Sequence, residues 1–225
     1  VNNNDKVYLA RFLFPEATTP GKEISGLLQM AVTAERICRL KYCEGEHKQD
    51  LCLQVHKERT IISSIDDEDS FGYELTEPGK VKRACYYLFN CVDQMETEPG
   101  CTEVPAIQMS KSRFDELKAK AATTNLYFLA ESLTAETGDL VYSAQLARVL
   151  KYRTADGELR LCSRGTDSWT SQHASYIGDA SGGWLLRMSS ESAEDWIIAV
   201  PASKAEVCYA LYEWMLNAPQ AANPE

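Results

Sequence analysis

Chemistry in this chain has to come from sulfur and imidazole. Eight cysteines stand at positions 38, 43, 52, 85, 91, 101, 162 and 208, against three histidines at 47, 56 and 173. Cysteine supplies either a disulfide framework, a metal site or a nucleophilic thiolate. Two cysteine triplets look alike, C-x4-C-x8-C from Cys38 and C-x5-C-x9-C from Cys85. Neither contains the C-x2-C spacing of a structural zinc site, so no metal is expected. An even and high count points to disulfides and an oxidising compartment, so the chain is expected outside the cytoplasm, periplasmic or secreted. Parity suggests at least three bridges, with Cys162 bonded to Cys208 if neither is catalytic. A Cys38–Cys85 staple between two helices is a further candidate. His47 and His56 lie in stretches rich in Lys, Glu and Gln, whereas His173 opens an apolar-alternating segment.

Charge narrows the partners. Lys and Arg number 23 against 33 Asp and Glu, a net charge of −10. Such a chain repels phosphate backbones, which removes nucleic acid from the expected partners. The longest apolar runs, such as Trp196–Pro201, fall far short of a membrane span. The chain opens Val-Asn-Asn-Asn without a methionine, as a processed or trimmed product would. There is no G-x-S-x-G elbow, no H-E-x-x-H, no P-loop and no dinucleotide fingerprint, so no cofactor is expected. The run Asp66-Asp67-Glu68-Asp69 reads as a solvated acidic loop, since an EF-hand alignment puts Phe71 where an oxygen ligand is needed.

The elements that would position these residues follow from periodicity. A helix is predicted from Glu23 through Ile37, with Cys38 near the same face. A second follows Pro78-Gly79, its stripe running Val81, Ala84, Cys85, Leu88, Cys91, Val92, Met95. Two more are expected at Ser112–Ala121, with Ser112 and Asp115 as a capping box, and at Asn125–Ser132. Beyond Thr137 the period shortens to two. Strands are predicted at Leu140–Tyr142, Val149–Tyr152, Leu159–Cys162, His173–Ile177, Trp184–Met188 and Trp196–Val200, with a hairpin turn at Thr154–Gly157. A capped helix, Ser203–Leu216, closes the chain. The fold class is α+β: a helical N-terminal half, then an antiparallel β-sheet with a closing helix in the C-terminal half. Residues 1–105 read as a disulfide-stapled helical region and 106–225 as an α+β region, within one continuous domain or two.

Two segments, Thr137-Gly138-Asp139-Leu140-Val141-Tyr142 and His173-Ala174-Ser175-Tyr176-Ile177-Gly178-Asp179, occur in that order. Together they resemble the NlpC/P60-like superfamily of papain-like cysteine peptidases, amidases and acyltransferases. The resemblance implies that His173 is the general base of a Cys–His pair. Its nucleophile would be Cys101, which follows Pro99-Gly100 at an expected helix start, or Cys208 in the arrangement of circularly permuted members. At a helix start the macrodipole favours the thiolate. The substrate class implied is a peptide crosslink, such as those of cell-wall peptides.

Two functions therefore stand side by side. One is an exported, disulfide-stabilised acidic binding protein that blocks a partner enzyme, steered to a basic partner and anchored by the Trp- and Tyr-rich C-terminal half. The other is a cysteine amidase or peptidase built on His173 with Cys101 or Cys208.

Overall fold

Along Arg36–Glu44, Cys38, Leu40 and Tyr42 alternate with Arg39 and Lys41, and along His47–Val55, Leu51 and Leu53 alternate with Asp50 and Cys52. That period of two makes strands. In the computed structural model these segments are β1 (Arg36–Glu44) and β2 (His47–Val55). The structure describes residues 3–16, 22–57, 59–65, 72–75, 80–96, 106–166, 168–189 and 195–217. Gly45, with φ 59°, takes the first of two loop positions between Glu44 and His47, where a type II′ hairpin requires a glycine-like backbone. The further strands are β3 (Thr60–Ser64), β4 (Gly72–Leu75), β5 (Ile107–Ser110), β6 (Ala155–Arg164), β7 (Trp169–Asp179), β8 (Gly182–Ser189) and β9 (Trp196–Pro201). They form one sheet in the order β4-β3-β2-β1-β6-β7-β8-β9-β5, antiparallel at every pairing.

The helices are α1 (Asn3–Leu13), α2 (Lys22–Ala31), α3 (Lys80–Leu88), α4 (Lys111–Lys120), α5 (Leu126–Thr137), α6 (Leu140–Tyr152) and α7 (Lys204–Leu216). The class is α+β, as the sequence implies. The expected helical N-terminal half is not found, because four strands occupy the stretch between α2 and α3. The helix from Glu23 stops at Ala31, where Thr33 and Ala34 donate to Met30 and Ala31 in a closing turn. The sheet also crosses from residues 1–105 into 106–225, through β1–β6 pairing from Arg36↔Ser163 to Glu44↔Ala155.

Three more local expectations change. Leu140–Tyr142 and Val149–Tyr152 are the two ends of α6, not strands. Gly138 closes α5 at φ 76° and Asp139 opens α6 by accepting from Tyr142 N at 2.8 Å, so Gly-Asp here joins two helices. Thr154–Gly157 is not a hairpin turn, since β6 begins at Ala155. The stripe toward Met95 breaks at Leu88, because Asn90 adopts a left-handed φ of 52° and ends α3. Ser110, not Ser112, holds the N-cap position of α4, and its hydroxyl pairs with Ser112 Oγ rather than capping the helix.

Each face of the sheet carries a core. On the first face Cys38, Leu40, Tyr42, Leu53, Leu159, Ala174 and Tyr176 pack under α3 and α7. On the second face Ile37, Cys52, Cys162 and Trp169 pack with α1 and α2, while Ile177, Trp184, Leu186, Ile197 and Ala199 pack with α4, α5 and α6. The closing helix is capped as expected: Ser203 Oγ accepts from Glu206 N at 3.2 Å, and Glu206 Oε2 accepts from Ser203 N at 2.7 Å. Its buried stripe is Val207, Cys208, Leu211 and Met215.

Candidate functional site

Strand alternation decides which residues can meet. Ala174 and Tyr176 belong to the first-face core, so His173 faces the other way. In register it lies opposite Arg160. His173 Nε2 lies 3.3 Å from Glu158 Oε1 without making an aligned hydrogen bond. Arg160 Nη2 also donates to that carboxylate, and Arg160 Nη1 donates to Phe12 O at 2.9 Å. The Glu158 carboxyl is held at about 2 by His173 and then Arg160, against the opposing effect of burial. Beside Ser171 the helix α1 borders an open groove of about 510 Å³, lined by Val7, Tyr8, Arg11 and Phe12.

The structure does not bring Cys208 to His173. Cys208 lies in the first-face core under α7, on the opposite side of the sheet. Cys101 falls outside the described residues. Arg187, paired with Ala174, also faces away from His173. Cys162 stands diagonal to His173, opposite Ser171, a neighbour that only the strand register reveals. Its thiol is fully buried, and burial, with the nearby Cys52, pushes it up to about 12. Such a thiol is no nucleophile at neutral pH.

Sulfur gathers on the first face instead. Cys91 Sγ lies 3.4 Å from Cys208 Sγ, and Cys91 Sγ also reaches Tyr86 O at 3.6 Å. One turn before Cys208, Lys204 Nζ donates to both carboxylate oxygens of Glu44 at 2.9 Å. The hydrogen bond from Cys208, helped by the Lys204 ammonium, lowers the Cys91 thiol; burial drives Cys208 far up. The seven described cysteines are unbonded thiols. The expected Cys162–Cys208 bridge fails on geometry, since these residues occupy opposite faces of the sheet. Cys38 and Cys85 do share the first-face core, though Cys38 sits on β1 rather than on a helix. Among the described residues no group of three or more His, Cys, Asp or Glu side chains is placed to hold a metal ion.

The third feature is apolar. Six of the thirteen exposed large hydrophobic side chains among the described residues lie on α5 and α6: Leu126, Tyr127, Phe128, Leu140, Val141 and Tyr152. Tyr127 is 79% exposed and Leu140 70%. Of the four tryptophans expected as anchors, Trp184 at 2% and Trp169 at 8% exposure build the interior, Trp214 is partly buried and Trp196 is exposed. This surface is not visible in the sequence, because Leu140–Tyr142 reads there as a strand. The Gly138-Asp139 cap pair was the signal that could have revealed the helical hairpin.

No described helix is long and apolar enough to cross a membrane. No family model matches the chain, and no curated protein matches it. Among solved structures the chain is similar to that of the Mycobacterium tuberculosis type VII secretion system chaperone EspG5 in complex with the PE25–PPE41 dimer. The superposition has a TM-score of 0.57 at 10% identity and covers 97% of this chain and 95% of the other, a likeness of fold.

Proposed function

We propose that this chain is a protein-binding protein that escorts or blocks a partner, and that it holds the partner against the outer surface of the α5–α6 hairpin. One observation carries this reading: the concentration of exposed aromatic and aliphatic side chains on those two helices. Large apolar side chains are costly to leave in water, and elements that carry several of them exposed mark interaction sites. Tyrosine and phenylalanine are also the residue types that anchor interfaces at low entropic cost. The likeness of fold to a chaperone held in a complex with a protein dimer supports a binding role. A net charge of −10 would steer the chain to a partner whose contact surface is rimmed with basic residues.

Site-specific photocrosslinking in the cells that make the protein tests the proposal. A photoreactive residue at position 127 or 140 is expected to give one dominant adduct with a different protein. The same probe at position 48, on β2, is expected to give none. Adducts of equal yield from all three positions, or none from 127 and 140, would overturn it.

A further inference from the structure

We propose that Cys91 and Cys208 are an oxidisable thiol pair that closes to an intramolecular disulfide, tying the turn after α3 to α7. The geometry is already close. The sulfurs stand 3.4 Å apart, and bonding at about 2.05 Å needs an approach of only about 1.4 Å. Both residues belong to the same buried cluster, with α3 and α7 packed against each other over the first face of the sheet. Cys91 follows the left-handed Asn90 and opens the short 3-10 turn Val92–Gln94, so it sits on a turn rather than within a helix. Both sulfurs are fully buried, so reaction with an oxidant requires this turn to open, and a turn can move a side chain without breaking helical hydrogen bonds.

The pair is also chemically asymmetric. The Cys91 thiol is lowered by the hydrogen bond with Cys208 and by Lys204, which makes Cys91 the attacking sulfur. The charges facing it are Lys204, Asp93 and Glu44, with Lys204 itself paired to Glu44. Cys208, kept protonated by burial, is the resolving thiol.

The oxidant class is a small-molecule disulfide. The Cys91 thiolate attacks one sulfur of the oxidant, forming a mixed disulfide and releasing one thiolate. That thiolate takes up a proton. Cys208 then loses its proton and attacks Cys91 Sγ, the mixed bond breaks, and the second small thiol leaves. The protein loses two hydrogens and two electrons, and the oxidant is reduced to two thiols. The bridge would join residues 117 positions apart.

The test uses the full chain, natively folded, with oxidised glutathione as the probe. After incubation, free thiols are alkylated in denaturant and the unreduced peptides are mapped by mass. The expected product is a single crosslink between the peptides carrying Cys91 and Cys208, with Cys38, Cys52, Cys85 and Cys162 alkylated. Cys208→Ala should accumulate glutathione on Cys91, whereas Cys91→Ala should leave Cys208 unmodified. The melting temperature of the wild-type chain should rise on oxidation, and that of either variant should not. A dominant crosslink through Cys101 or between Cys38 and Cys85, or a wild-type chain that stays fully alkylatable, would overturn the proposal.

Discussion

Helix α7 and the α5–α6 hairpin are both rich in apolar residues, yet the fold uses them differently. Every member of the α7 stripe, Val207, Cys208, Leu211 and Met215, disappears into the first-face core. The hairpin buries Leu129, Leu133, Leu146, Ala147, Val149 and Leu150 against the second face, and then exposes six more large apolar side chains. Helix α7 spends most of its hydrophobicity on folding and exposes one large apolar side chain, Leu216, at its end. The hairpin carries more of it than folding consumes, and that surplus is what a binding surface requires.

The contrast breaks most sharply at Leu211, which is 4% exposed beneath α7. Leu211→Ala removes buried methyl groups and leaves a cavity in the first-face core, a loss of about 2–5 kcal/mol. Urea unfolding followed by circular dichroism measures it. A loss below about 0.5 kcal/mol, the range of ordinary surface substitutions, would mean that α7 is not docked and that the two regions do not differ.

A second probe asks how tightly the first face is packed. Gly178 and Gly183 border the Tyr176 ring, and a Cβ on Gly183 would lie 2.2 Å from Tyr176 Oη. Tyr42, Phe89 and Tyr176 stack edge-on, with centroids 5.4 and 5.9 Å apart, so the ring has little room to yield. Gly183→Ala should cost about 1–3 kcal/mol by overpacking. Trimming the ring with Tyr176→Leu in the same chain should recover part of that loss relative to Tyr176→Leu alone. Additive losses in the double-mutant cycle would deny the contact.

The same packing explains what the sequence made legible. Strands β7, β8 and β9 and the capping box of α7 were readable because alternation and caps are local signals. Strands β1 and β2 were obscured because both of their faces are covered. Ile37 and Cys52 are buried on the second face as fully as Cys38 and Leu53 are on the first. Buried Arg39, Asp50 and Gln54 share that second face, so polar residues there do not mark a solvent side, while Ile37 also fits the helical spacing that starts at Ile24. His173 does lie on a strand as expected. Its neighbours Glu158, Arg160 and Cys162 come from strand register, and the meeting of Cys91 with Cys208 comes from helix packing, neither of which is encoded in spacing. The first half of the NlpC/P60-like resemblance, Thr137–Tyr142, carries a helix–helix turn.

Between the two helical clusters of the second face runs a charged strip whose contribution should be visible in acid. Glu158 titrates at about 2 instead of 4.5. Glu16 also falls to about 2: burial alone would raise it, but hydrogen bonds from Lys41 and Arg39 outweigh that. Folding lowers both values, so their stabilisation is full above pH 4.5 and is lost as pH falls toward 2. Both carboxylates are more than a third exposed, and screening limits each to less than about 1 kcal/mol. Stability measured against pH should decline through this window, and Glu158→Gln should make the decline shallower. Parallel curves for the two proteins would show that the His173–Glu158–Arg160 contact contributes nothing.

The smallest effect on stability should come from the most exposed residue, and that is where the comparison is most informative. Tyr127 is 79% exposed in the first turn of α5, so Tyr127→Ala uncovers no core and should change unfolding free energy by less than about 0.5 kcal/mol. The same holds for Leu140→Ala at the start of α6. If the hairpin's surplus serves a partner, each truncation should weaken the complex found by crosslinking by about 2 kcal/mol or more, the scale of an interface anchor. Leu211→Ala should behave in the opposite way. At a temperature where the variant stays folded, it should leave affinity nearly unchanged while lowering stability. Isothermal titration of the three variants against the identified partner, beside their unfolding curves, separates the two roles. Equal affinities for wild type, Tyr127→Ala and Leu140→Ala would move the binding surface away from the hairpin.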